Sequence, residues 1–191
     1  MYVEPYEGFY STNLENMYNI FPEVKLALIF RLAIFTIALP GAILFIMRMF
    51  GMISTIEMDD KDERYIPMFV MFICCLVVYL LMFLWTGGNR VPKFFYSYPL
   101  SGAISSLGYL ALTKWWGKVS IHAGGAGIMT GFVFAYILIC PGYQSWILPA
   151  MFIISGLVMS ARLYLKKHTL PQVIMGWCVG CFVTFAVNYF Y

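Results

Sequence analysis

Apolar residues in this chain collect in six long runs that are separated by short polar breaks. The runs cover residues 25–50, 66–87, 95–116, 120–140, 145–164 and 171–190. Each is close to the ~20 residues that a helix needs to cross the hydrocarbon core of a bilayer. Each run is expected to be helical, because lipid cannot satisfy free backbone groups. The pattern predicts an all-α polytopic membrane protein with six transmembrane helices in a single bundle with short loops.

The first 23 residues differ from the rest because acidic residues alternate there with tyrosine and phenylalanine. Aromatic rings favour the head-group level of a membrane, so residues 1–23 are predicted to form an interfacial segment. No signal peptide is expected, since acids and no basic region precede the first apolar run. Residues 24–191 are predicted to form one transmembrane domain.

The composition supports a membrane protein, with 62% hydrophobic and 11% charged residues against about 25% charged in soluble domains. No acid follows Glu63, so residues 64–191 carry only basic charge. Basic residues at the ends of apolar runs favour anionic or phosphorylated lipids over nucleic acid as partners. Divalent metals bind anionic ligands, and no acid lies near the two histidines in the sequence. Neither a metal nor a cofactor is therefore predicted. The sequence leaves the oligomeric state open.

The five cysteines all lie within apolar runs. The pair Cys178 and Cys181 has the C-x-x-C spacing of some redox and metal sites. No second pair or nearby acid supports that chemistry, so we interpret these cysteines as small buried hydrophobes.

Successive spans run in opposite directions, which fixes the ends that share a membrane face. The end of the third run, the start of the fourth, the end of the fifth and the start of the sixth all belong to one face. The end of the first run and loop 51–65 belong to it as well. The only two histidines, His122 and His168, therefore fall on the same face as Arg162.

A phosphate-binding cradle is predicted at the start of the fourth run. Lys118 and His122 are four residues apart and share one side of a first helical turn. Ser120 is expected to cap that turn, and a helix N-terminus attracts anions. Arg162 can grip two phosphate oxygens, and Lys114 is a further candidate cation. Histidine, with an unperturbed pKa of about 6.5, suits both nucleophilic attack and proton donation near neutral pH.

These residues resemble two motifs of the type-2 phosphatidic acid phosphatase superfamily, the lipid phosphate phosphatases related to vanadium haloperoxidases. Arg162, the five residues after it and His168 match most of Ser-Arg-x5-His-x3-Asp, and Ser120 with His122 loosely match Pro-Ser-Gly-His. The similarity covers residues 114–180. The family's Lys-x6-Arg-Pro motif is absent, and Gln172 stands where the family has Asp.

The resemblance implies metal-independent hydrolysis of a lipid phosphomonoester or diphosphate through a phosphohistidine. It implies that His168 is the nucleophile, that His122 is the general acid and that Ser120 and Arg162 hold the phosphate. Gln172 is expected to orient the nucleophile without offsetting its charge. Candidate substrates are phosphatidate, phosphatidylglycerol phosphate, a polyprenyl diphosphate or a lipid A phosphate. Transfer of the phosphoryl group to another alcohol is a variant.

Two other functions remain open from the residues alone. A non-enzymatic protein that binds or transports a phosphorylated lipid would use the same cradle. A small channel or structural subunit leaves the paired histidines unexplained. The excess of lysine and arginine on the site face favours the cytoplasmic side, whereas bacterial members of the family usually face the periplasm. We expect a bacterial inner-membrane protein with the site towards the periplasm.

Overall fold

The computed structural model describes residues 22–55, 58, 62–86, 93–139 and 146–191. These residues form seven α-helices, a π-helical turn and a 3-10 turn, and they include no strand. The α-helices are α1 (Pro22–Ala33), α2 (Leu39–Met49), α3 (Tyr65–Thr86), α4 (Phe94–Trp115), α5 (Ile121–Ile139), α6 (Ile147–Tyr164) and α7 (Leu170–Phe190). The all-α prediction is confirmed. The predicted interfacial segment lies outside the described residues, except for its last two, which begin α1.

Helices α1 and α2 are two parts of one helical run. The π-helical turn Ile34–Ala38 joins them without a break. Pro40 lies in the first turn of α2, and its ring removes a backbone N–H and crowds the carbonyl four residues earlier. The backbone widens there, and the Leu39 N–H bonds to the carbonyl of Ile34 instead. Because the helix continues through the π-helical turn, the two helices correspond to the single apolar run predicted over residues 25–50.

The helices pack side by side in the order α2, α3, α4, α7, α5, α6. Helices α4 and α7 are antiparallel, since Ser97 bonds to Asn188 at one end and Tyr109 to the carbonyl of Gly176 nearer the other. Helices α5 and α7 are parallel, with the start of one beside the start of the other. The last helix, α7, therefore lies between α4 and α5.

Glycines set the close approach of α5 and α7. A methyl group on any of four glycines would collide with backbone of the facing segment; these are Gly127, Gly131, Gly176 and Gly180. Small residues let two helices in a membrane approach until their backbones touch. The spacings Gly127-x3-Gly131 and Gly176-x3-Gly180 therefore serve close helix packing.

Five helical segments are long and apolar enough to cross a membrane, counted over the described residues. They are Leu26–Met49, Asp62–Leu84, Ile121–Ile139, Ile147–Tyr164 and Leu170–Phe190. The remaining long helix, α4, corresponds to the predicted third run and has 22 residues. It carries buried serines and a threonine instead of a continuous apolar sequence, namely Ser97, Ser101, Ser105, Ser106 and Thr113. Its neighbours α3 and α7 cover these polar positions.

Candidate functional site

The starts of α5 and α7 meet at one end of the bundle. The backbone N–H of Ser120 donates to the carbonyl of Gln172 over 3.2 Å. A methyl group on Gly176 would strike the carbonyl of Ser120, so the two chains are in direct backbone contact. Helices α2, α4 and α6 end at this same end of the bundle, which we call the site end. The alternation of spans predicted this convergence.

A tight cap at the end of α6 brings the chain back towards α7. The N–H of Lys167 bonds to the carbonyl of Arg162, and the N–H of Lys166 bonds to that of Leu163. This is the Schellman arrangement, which places one residue in the left-handed region. Lys166 takes that position, with φ of 51°, although glycine is the usual occupant. The turn leaves His168 directly before α7, where it is 8% exposed.

Gln172 holds the ring of His168 in one tautomer. Its Oε1 accepts the backbone N–H of Thr169 over 3.1 Å and lies 3.2 Å from Nδ1 of His168. An atom that accepts a backbone N–H is an oxygen, so Nδ1 carries the proton that reaches it. Nε2 then keeps its lone pair. The same glutamine completes a capping box with Thr169 at the start of α7.

Among the described residues, three cations act on the charge of this imidazole. Burial is the largest cause that lowers the pKa of His168, to about 4. The hydrogen bond that Nδ1 donates to Gln172 raises this pKa, and the charges of Arg64, Lys118 and Arg162 lower it. Arg162 is itself buried, with 9% of its surface exposed. The ring is therefore neutral at pH 7, and the positive charges that act on it favour an anion nearby. The structure brings the predicted Lys118, Arg162, His168 and Gln172 together.

Arg64 is a site residue that the sequence did not indicate. The charged sequence of residues 57–64 is typical of a solvated loop, and this expectation is wrong for Arg64, which is 2% exposed. Its Nε donates to the carbonyl of Met58 over 2.8 Å and its Nη1 to that of Val119 over 2.7 Å. Arg64 thus ties the loop before α3 to the entry of α5. In the sequence, the signal for a site role was that Arg64 is the last residue before an apolar run. Arginines that extend to the membrane surface have the same position, so this signal is not specific.

Ser120 and His122 occupy different environments at the start of α5. The hydroxyl of Ser120 accepts the N–H of Ala123 over 3.3 Å, so the prediction that Ser120 caps this helix is confirmed. Ser120 has no exposed surface, because Gly176 brings α7 directly against it. Its predicted contact with phosphate stays a prediction. His122 is exposed in the first turn.

Helix packing sets the level of His122 relative to Arg162. The hydroxyls of Thr130 on α5 and Ser155 on α6 are 2.9 Å apart. His122 lies eight residues before Thr130, and Arg162 lies seven residues after Ser155. On antiparallel helices these steps correspond to about 12 and 10 Å towards the site end. His122 and Arg162 therefore lie at a similar depth on neighbouring helices.

Lys114 lies apart from this cluster. It is exposed near the end of α4 and is not among the charges that act on His168. Its phosphate-binding role stays a prediction. In the described part of the chain, no three His, Cys, Asp or Glu side chains come together as metal ligands would.

Comparisons of this chain with family models, curated proteins and solved structures found no match in any of the three.

Proposed function

We propose that this protein is a membrane lipid phosphatase and a divergent member of the type-2 phosphatidic acid phosphatase superfamily. The observation that carries the proposal is the buried, neutral His168, with its Nδ1–H on Gln172 and three cations acting on it. A neutral imidazole with a free Nε2 is a nucleophile. A group of cations beside a neutral imidazole suits the oxygens of a phosphate ester.

The proposed reaction has two steps that share one phosphorus atom. Nε2 of His168 attacks phosphorus, the bond from phosphorus to the lipid oxygen breaks, and His122 gives that oxygen its proton. Water then attacks the phosphohistidine and loses a proton to His122, and the P–N bond breaks to release phosphate. Lys118 and Arg162 stabilise the equatorial oxygens in both steps, with Ser120 and Lys114 as further candidates.

The substrate is a phosphomonoester or diphosphate on a lipid, because the site end lies at the ends of membrane-length helices. On this proposal α4 crosses the bilayer as a sixth span, shielded by α3 and α7. The protein is an integral protein of a bacterial inner membrane, and the site faces the periplasm. The long apolar helices are compatible with the membrane location.

A lipid-phosphate binder or transporter is the second candidate. Gln172 favours it, because a neutral amide orients the ring of His168 but does not offset the positive charge that a phosphohistidine develops. The loss of an analogous carboxylate in a hydrolase triad lowers the rate by about 10⁴. The same cluster would then hold the head group without turnover.

The test is phosphate release from a fluorescent lipid phosphate by purified protein in the presence of a chelator. We expect release that His168→Ala abolishes and that Arg162→Gln lowers by two orders of magnitude or more, about the loss of one charged contact to the transition state. Lys93→Gln, at the opposite end of α4, is the matched control and should leave the rate unchanged. Tight binding without release would support the second candidate instead.

A further inference from the structure

An apolar cleft of about 340 Å³ opens beside the site end, between α4 and α7. Six residues line it: Trp116, Leu170, Pro171, Ile174, Met175 and Cys178. Trp116 follows the last turn of α4 and is half exposed. The other five belong to the first turns of α7. All six side chains are apolar, since a free cysteine behaves as a small hydrophobe.

The cleft follows α7 away from His168. Leu170 is two residues after His168, and the lining positions then recur three or four residues apart as far as Cys178. They form a stripe about 12 Å long on one side of the helix. The stripe begins at the site end of α7 and continues along the segment Leu170–Phe190, which is long enough to cross a membrane.

The other sides of α7 are already covered by neighbouring helices. Gly180 contacts α5, Gly176 contacts the residues just before α5, and Val179 packs against Gly108 of α4. The stripe is therefore the side that α7 turns towards the bilayer, with Trp116 as a wall. An apolar cleft does not retain ordered water, which needs polar partners. The molecules available to fill it at this depth are the acyl chains of lipids.

We propose that this cleft binds one acyl chain of the phosphorylated lipid and thereby brings the head group to His168. This inference rests on the proposed function, because the cationic site anchors the head of the same molecule. A second acyl chain would stay in the bilayer, since the cleft is a single stripe. Chain contacts here would select lipid phosphates over soluble phosphate esters of the same head group.

Photo-crosslinking tests the cleft without relying on turnover. The full-length protein is placed in phosphatidylcholine vesicles with phosphatidate that carries a diazirine on its acyl chain. A phosphatidylcholine with the same chain serves as the comparison probe. We expect the phosphatidate probe to label the peptide containing residues 170–178 more strongly than the choline probe. Equal labelling by the two probes, or labelling spread over all lipid-facing helices, would overturn the proposal.

Two variants with larger side chains in the cleft provide a second test. Ile174→Trp and Cys178→Phe place bulk in the cleft, and each should remove the excess labelling. Each should also raise the half-saturating phosphatidate concentration by about tenfold, the effect of losing contact with about two methylene groups. Ile153→Trp on α6 is the matched control, because Ile153 is 65% exposed and does not line the cleft. Unchanged labelling in both filled variants would contradict the proposal.

These experiments distinguish the proposed acyl-chain binding from the proposed phosphatase activity. Head-group-dependent labelling without phosphate release would support the cleft and overturn the phosphatase. Phosphate release at equal efficiency from long-chain and short-chain substrates, with equal labelling by both probes, would support the phosphatase and overturn the cleft.

Discussion

Gln172 has two tasks at the start of α7. It completes the capping box with Thr169, and the same oxygen faces Nδ1 of His168. The pattern Thr-x-x-Gln is a capping-box signature, so the sequence contained the signal for its structural task. An aspartate is one methylene shorter and fits this box less well. Gln172 therefore orients the ring of His168 as an aspartate would, but it carries no negative charge.

Gln172→Glu restores a charge with the same side-chain length. We expect the pKa of His168 to rise from about 4, because a carboxylate stabilises the protonated ring. Phosphate release should increase by at least about tenfold, up to the ~10⁴ associated with such a carboxylate. Histidine NMR titration and initial rates measure the two effects. An unchanged pKa would show that residue 172 does not face the ring.

Arg64 is the second residue whose replacement has a defined consequence. Arg64→Gln removes a positive charge that lowers the pKa of His168, so the pKa should rise towards 6.5. A lowered pKa in the folded state stabilises the protein above pH 6.5, and this contribution is lost as the pH falls towards 4. The variant should therefore lose less stability between these pH values than the wild type does.

The measurements for Arg64 are an NMR titration of His168 in the His122→Gln background and thermal unfolding at both ends of that pH range. Lys114→Gln is the control, because Lys114 is exposed and is not among the charges that act on the ring. A shift of equal size in the control would assign the effect to overall charge and not to Arg64.

At the scale of helices, the seam between α5 and α7 is the tightest contact of the bundle. It brings Gly127 and Gly131 of α5 against backbone atoms of Trp177 and Cys181. Polar pairs join the other helices, with Ser97 to Asn188 over 2.7 Å and Thr130 to Ser155 over 2.9 Å. Such hydrogen bonds contribute modestly in membranes, at about 0.6 kcal/mol on average. Close packing is therefore the larger source of specificity here.

Gly131→Ala should destabilise the protein by about 1–3 kcal/mol, the usual cost of overpacking, because its methyl group meets the carbonyl of Cys181. Gly125→Ala on the same helix is the control, since nothing lies within 4 Å of the added carbon. It should be neutral or slightly stabilising, as alanine favours helix by up to about 1 kcal/mol over glycine. Thermal unfolding in detergent compares the two. Equal unfolding temperatures for the two variants would contradict close backbone packing between α5 and α7.

At the scale of the molecule, hydropathy and the alternation of spans predicted much of what is observed. The six runs match the observed helices to within a few residues, as in 66–87 against Tyr65–Thr86. The meeting of Lys118 with His168 followed from alternation alone. The burial of Arg64 and Ser120 did not follow, because each depends on contacts with residues far away in sequence. Val119 is 55 positions from Arg64.

Helix α4 should depend on its neighbours to enter a membrane. Its serines are buried against α3 and α7, and by itself it would expose them to lipid. In an insertion assay with glycosylation sites on both sides, we expect Phe94–Trp115 alone to insert less efficiently than Tyr65–Thr86. Insertion of α4 should improve when α3 and α7 are present. Equal efficiency for the two isolated helices would contradict this expectation.

The glycine seam also limits how the protein can move. Two helices whose main chains touch over several turns cannot rotate or slide past one another without separating, so α5 and α7 behave as one rigid unit. That unit holds His168, Gln172 and the entry of α5 at fixed spacing. If the protein admits a large lipid, the movement that admits it must therefore belong to the helices around this unit.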